Sequence, residues 1–103
     1  MEWNQLTNIE QLKELQEKSF EKNIVIFKHS TRCPTSSMAL NRLERNWKQE
    51  HHEKIVPYFL DLIKFRDVSK EIADLFKVTH ESPQVLLLQS GKCSYNASHM
   101  SIS

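Results

Sequence analysis

Ile24-Val25-Ile26-Phe27-Lys28-His29-Ser30-Thr31-Arg32-Cys33-Pro34-Thr35-Ser36 is the stretch that decides the fold. Its first four residues are an unbroken β-branched and aromatic run, the pattern of a strand buried on both faces in the middle of a helix-covered sheet. The polar segment His29 to Pro34 reads as a turn. Behind it, Met38, Leu40, Leu43 and Trp47 recur at helical spacing. Cys33 therefore stands at a helix start, and Pro34 suits the first helical position, where its missing N–H is no loss. A sulfur in that place faces unpaired backbone N–H groups at the positive end of the helix, which lowers a thiol pKa and raises its thiolate fraction. Arg32, with Lys28 and His29 close in sequence, acts in the same direction. Thr35 flanks the thiol, and the Ser36 hydroxyl can add a hydrogen bond to the thiolate.

Upstream, Trp3 and Leu6 read as packing residues. Thr7 precedes Glu10 by the capping-box spacing, and Ile9, Leu12, Leu15 and Phe20 follow at near-helical intervals, predicting a helix from Asn8 to Lys22. Downstream, Ile55 to Leu62 reads as a second strand, with Pro57 marking an edge position. Val68, Ile72, Leu75 and Phe76 mark a third helix capped by Asp67 or Ser69. His80 to Pro83 is a turn and Gln84 to Gln89 a third strand. Ser90-Gly91-Lys92 then turns tightly into a last strand, Cys93 to Ala97. This order predicts an α/β layered domain over residues 1–103 with a four-stranded mixed sheet flanked by helices. The first two strands should be parallel, the last two antiparallel, and the third should lie beside the first.

Composition excludes several classes. With 14 basic and 13 acidic side chains the formal charge is +1, leaving no electrostatic footprint for nucleic acid. The single glycine, Gly91, compares with roughly seven in an average chain of this length, so no glycine-rich loop can cradle phosphate. Two cysteines are too few for a disulfide scaffold. No histidine pair shows metal-ligand spacing with a cysteine, so no metal is expected. The chain opens on a polar stretch and carries no apolar run of membrane-spanning length. The expectation is a cytoplasmic protein with reduced thiols, no membrane contact, and a monomeric or weakly dimeric state.

Pro83 opens the third strand beside the first. That sets the Ser82–Pro83 bond against the Cys33 loop, where the Ser82 backbone could pair with an extended substrate and His80 flanks the site. A cysteine heading a helix after a central strand, with a proline opening the next-but-one strand, resembles the thioredoxin-like fold. Within it, Phe27 to Ser36 is similar to the Cys-Pro-Ile-Ser site of the bacillithiol-system redox-active YtxJ family, and His80-Glu81-Ser82-Pro83-Gln84 is similar to that family's second motif. The resemblance runs from about Trp3 to His99. It implies a bacilliredoxin-like monothiol activity, the removal of bacillithiol from proteins that carry it as a mixed disulfide. Bacillithiol would then be the small-thiol co-substrate and bacillithiolated proteins the clients. Carried over by position, Cys33 is the nucleophile, Ser36 stands where a resolving cysteine would, and Pro83 is the cis-proline. Lys28, His29, His80, Ser82 and Pro83 are expected to stand around the substrate. Thioredoxin-like chains continue into a final helix, whereas this sequence stops at Ser103, so that helix is expected to be missing or truncated.

The chemistry argues separately for a single working thiol. A dithiol enzyme releases its product with a second nearby cysteine, and Ser36 cannot do so. Phe27 occupies the place, six residues before the nucleophile, where thioredoxins often bury a carboxylate. Gln84 to Gly91 spans roughly 25 Å at strand rise, so Cys93 falls at the far end of the sheet, well beyond disulfide reach. Two other readings remain: a non-catalytic redox sensor or adaptor on the same fold, and an arsenate-reductase-like enzyme. The latter typically has an arginine directly after the serine, where this chain has Ser37.

Overall fold

β2 (Asn23–His29) is buried along its whole length after Asn23 and has a hydrogen-bonded strand on each side. In the computed structural model, which describes residues 3–30, 34–46, 55–81 and 83–98, seven other elements surround it. They are β1 (Asn4–Gln5), α1 (Ile9–Lys18), α2 (Pro34–Asn46), β3 (Ile55–Asp61), α3 (Arg66–Phe76), β4 (Gln84–Gln89) and β5 (Lys92–Ser98). The sheet order is β1-β3-β2-β4-β5. β2 pairs in parallel with β3 and antiparallel with β4, and β4 pairs antiparallel with β5, as the sequence predicts.

Because side chains alternate across a strand, β2 feeds two cores. Ile24 and Ile26 pack with Leu12 and Leu15 of α1 and with Val68 and Ile72 of α3 on one face. Val25 and Phe27 pack with Ala39 and Leu43 of α2 on the other. Helices thus cover both faces, which is why Ile24 to Phe27 reads as continuous apolar sequence rather than alternating. Among the described residues no helix is long and apolar enough to cross a membrane.

Several details differ from the sequence reading. The sheet has five strands, not four. β1 is only two residues long, too short to leave a period, and it pairs in parallel with β3. That pairing gives β3 a neighbour on each side, so Pro57 is not on an edge strand. Its carbonyl accepts from Asn4 Nδ2 at 3.1 Å, so its backbone faces β1 and the missing N–H leaves the β2–β3 ladder intact. The first helix is capped by Asn8, whose side chain accepts from the Gln11 N–H at 2.8 Å, while Gln11 Oε1 accepts from the Thr7 N–H at 2.9 Å. The cap is displaced by one residue, and the returning bond, made by glutamine rather than Glu10, reaches the residue before the cap instead of closing a capping box.

α1 also ends at Lys18 rather than Lys22, because Ser19 turns to the β4–β5 hairpin. Ser19 O accepts from the Ser90 N–H at 2.9 Å, and Ser19 Oγ accepts from the Gly91 N–H at 2.7 Å. Phe20 is consequently 67% exposed and lies over Gly91 instead of entering the core. Ser90 and Gly91 both have positive φ, 52° and 79°, the signature of a two-residue type I′ turn. α3 begins at Arg66 after Phe65, with no side-chain cap. Asp67 lies in its first turn, and Ser69 is a buried helical residue. Met38 is 55% exposed and does not join the α2 core. The readings for Trp47 and for the chain after β5 fall on residues outside those described.

Lys28 is the anomaly of the interior: a lysine of the central strand with 0% of its surface exposed. Burial disfavours the charged form and lowers its pKa from 10.5 to about 8.

Two predictions follow from this packing. Leu15→Ala and Ile72→Ala, both at fully buried positions, should each lose about 2–5 kcal/mol in urea unfolding, whereas Met38→Ala should stay within about 0.5 kcal/mol of wild type. Between about pH 8 and 10.5 the unfolded chain keeps the Lys28 proton that the folded chain has released, so this group makes stability rise with pH across that window. Lys28→Met should remove that rise and leave stability at pH 7 equal or higher, since a buried charge replaced by an apolar group of similar size is neutral or stabilising. Burial pushes the Cys93 thiol up, an opposite slope that both proteins share, so unfolding curves of the pair isolate Lys28.

Candidate active site

β2 and β3 run side by side and finish together, with His29 opposite Asp61. The Leu62 N–H, just past β3, donates to His29 O at 3.0 Å and ties the two exits together. β4 runs the other way, so its first residue, Gln84, sits opposite Lys28 at this same end of the sheet. From here the chain leaves β2 for α2 on one face and leaves β3 for α3 on the other. Such a divergence opens a crevice at the carboxyl ends of the strands, where open α/β sheets bind their ligands.

Cys33, Arg32 and Ser82 lie outside the described residues. The elements beside them are placed as the sequence predicts. α2 starts at Pro34, so Pro34, Thr35 and Ser36 form its first turn, and that turn holds no acidic residue. Pro83 is buried immediately before β4. The Gln84 side chain, also buried, donates from Nε2 to Thr79 O at 3.0 Å and closes the loop that carries His80 and Pro83.

Lys28 and His29 are neighbours in sequence but point to opposite faces of the sheet. The His29 ring is buried on the α2 side, 5.9 Å from the Phe27 ring and 5.3 Å from the Phe59 ring. Lys28 points to the α1–α3 side, where its Nζ lies 3.1 Å from His80 Nδ1. Ser69 Oγ of α3 lies 3.3 Å from the same nitrogen. A protonated lysine can only donate, so beside it Nδ1 acts as acceptor and His80 carries its proton on Nε2. Partial burial and the Lys28 charge lower the His80 pKa, outweighing the opposite pull of Glu81, which keeps the ring neutral.

The structure therefore joins Lys28 to His80 and sets His29 apart from them. Ser69 was missed as a partner because serine near a helix start reads as a cap. The available signal was its position on the buried side of α3 beside Val68 and Ile72, a polar residue within an apolar stripe. Among the described residues no group of three His, Cys, Asp or Glu side chains is placed to hold a metal ion.

Cys93 stands opposite Leu88 in the β4–β5 ladder, four positions along β4 from Gln84 and so about 13 Å from the Gln84 row. It is half-buried, and its Sγ donates to Tyr95 O at 3.3 Å. Burial is the main reason its thiol stays protonated above the ordinary range.

This architecture is shared with known proteins. A solved structure described as a candidate oxidoreductase with a thioredoxin fold is 29% identical to this chain, with a TM-score of 0.81 over 96% of this chain and 84% of that one. The Malassezia sympodialis thioredoxin Mala s 13 is 15% identical, with a TM-score of 0.77 over 95% of this chain and 79% of its own. Mitochondrial thioredoxin 3 of Saccharomyces cerevisiae is 20% identical, with a TM-score of 0.74 over 94% and 83%. The last two likenesses establish the fold alone: a thioredoxin-like sheet with helices on both faces. The family model for the monothiol bacilliredoxin BrxC matches residues 4–103. The chain thus combines a thioredoxin-like fold with a thiol-redox function, and it belongs to the monothiol bacilliredoxin family BrxC.

Proposed function

We propose that this protein removes bacillithiol from S-bacillithiolated proteins in the cytoplasm, with Cys33 as its nucleophile. The observation that carries the reading is the start of α2 at Pro34, immediately after Cys33 in the chain and at the carboxyl end of β2. With no acidic residue in its first turn, that helix leaves the positive end of its dipole uncompensated by its own side chains. The sequence holds no acidic residue at all between Glu21 and Glu44, while Lys28, Arg32 and Arg42 fall within that interval. Such a setting favours a thiolate at neutral pH.

In this reading the Cys33 thiolate attacks the bacillithiol sulfur of the mixed disulfide on a client. The client–bacillithiol S–S bond breaks, a Cys33–bacillithiol S–S bond forms, and the client sulfur leaves as a thiolate that takes a proton from water. Ser36 cannot open the new bond. A second small thiol must attack it, forming a small-molecule disulfide and returning Cys33 as thiolate. Pro83, buried beside the end of β2, serves as the cis-proline against which the Ser82 backbone pairs with the client. The distance of Cys93 from this end of the sheet supports its exclusion from the cycle.

Alkylation by iodoacetamide across pH tests activation without assuming a substrate. Cys33 is expected to react with a midpoint below about 8.5, the ordinary thiol value, and Cys93 only at higher pH. Peptide mass spectrometry separates the two. Incubation with a bacillithiolated client should move the modifier to Cys33, and Cys33→Ser should abolish the transfer. A client that keeps its modification in the presence of reduced wild-type protein overturns the reading.

A further inference from the structure

On the α1–α3 side, next to the end of β3, lies a cleft of about 380 Å³ lined by Leu62, Arg66, Ser69, Lys70, Ala73 and His80. Its four α3 residues fall at i, i+3, i+4 and i+7 and so form one stripe of the helix. Arg66 and Lys70 are adjacent cations on that stripe, an arrangement that repels itself in isolation. Asp67 and Asp74 flank Lys70 at i−3 and i+4 on the neighbouring stripe, and neither lines the cleft. Among the described residues neither Arg66 nor Lys70 has a carboxylate within ion-pair distance. The third polar group is His80. Its Nδ1 is occupied by the fully buried Lys28 and by Ser69, so the group it has left to offer is the Nε2–H donor.

Two cations and one N–H donor around a recess with apolar walls at Leu62 and Ala73 match a small organic anion. The planar arginine fork suits a carboxylate in particular, and the recess is of small-ligand size. We infer that this cleft binds the carboxylate-bearing end of the small thiol, with Arg66 and Lys70 as charge partners and His80 as hydrogen-bond donor. Lys28 is a positioning residue: it never meets the ligand, and its buried ammonium fixes which ring nitrogen of His80 carries the proton. The inference rests on the exchange reading above for the identity of the ligand. It stands on the cleft geometry for the existence of the site. Glu81, close enough to act on His80, and Asp67 and Asp74, beside Lys70 on α3, are nearby charges that oppose an anion and limit the affinity.

Succinate serves as the probe. Long-range proton–nitrogen spectra of the wild-type protein should show His80 as the Nε2–H tautomer. Its ring signals and the amides of residues 66–73 should shift on succinate titration relative to sodium chloride of matched ionic strength. Arg66→Ala with Lys70→Ala should weaken that binding about tenfold or more, as expected for lost charge-assisted hydrogen bonds. Lys28→Met should alter the His80 tautomer pattern, which a merely structural role would leave unmoved. In exchange assays the double variant should lower the preference for bacillithiol disulfide over the uncharged 2-hydroxyethyl disulfide about tenfold in kcat/KM. Absence of a succinate-dependent shift, or an equal shift in the double variant, overturns the cleft. Failure of wild-type Cys33 to exchange with either disulfide overturns the exchange reading instead and leaves the succinate titration to decide the cleft.

Discussion

The structure depends on β2 having neither a free edge nor a wet face. A strand paired on both sides and covered on both faces must satisfy every backbone group through its neighbours and bury consecutive side chains. Ile24, Val25, Ile26 and Phe27 meet that demand with apolar surface directed alternately to the two cores. Because both flanks and both faces are taken, the chain leaves β2 at its end, on the way to α2. The same constraint separates α2 from α3: two helices that follow parallel neighbours onto opposite faces must part, and the gap between them becomes the crevice.

Where the strand nears that crevice its composition changes, and the change carries a cost. Lys28 is a residue of β2 whose burial works against its own charge, and among the described residues its ammonium is held by a neutral imidazole rather than by a carboxylate. An imidazole partner leaves the lysine's positive charge unneutralised. A carboxylate there would neutralise the lysine but would also place a negative charge near the strand end that leads to Cys33, opposing thiolate formation. Phe27, at the place six residues before Cys33, fits the same logic on the other face, since with Ser36 in place of a resolving cysteine there is no second thiol beside Cys33 to deprotonate.

The elements that bury long apolar runs were legible in the sequence: β2, β3, β4, the three helices and the hairpin all stand where the patterns predict. What the sequence hid is short or tertiary in origin. β1 has two residues and no period. The early end of α1 follows from Ser19 bonding to a turn some seventy positions away, which no local window contains. Pro57 reads as an edge residue because its tolerance depends on which side of the strand its missing N–H faces. At the site, Cys33 and Pro34 were readable as a thiol before a helix because strand, proline and helix are consecutive. The pairing of Lys28 with His80 was not, since alternation along β2 sends Lys28 and His29 to opposite faces and only the return of the chain after α3 brings His80 to one of them.

The strand order has a bearing on how the molecule comes into being. The central strand emerges before both of its partners, the parallel one about thirty residues later and the antiparallel one about sixty residues later. Until β4 emerges, one edge of this apolar strand has nothing native to pair with. The clasp between Ser19 and the hairpin tip must wait for the same stretch, since it joins α1 to the β4–β5 turn. A ribosome must therefore release the chain through the β4–β5 hairpin before the sheet can be completed, and until then the open edge of β2 is a surface that holding chaperones suit.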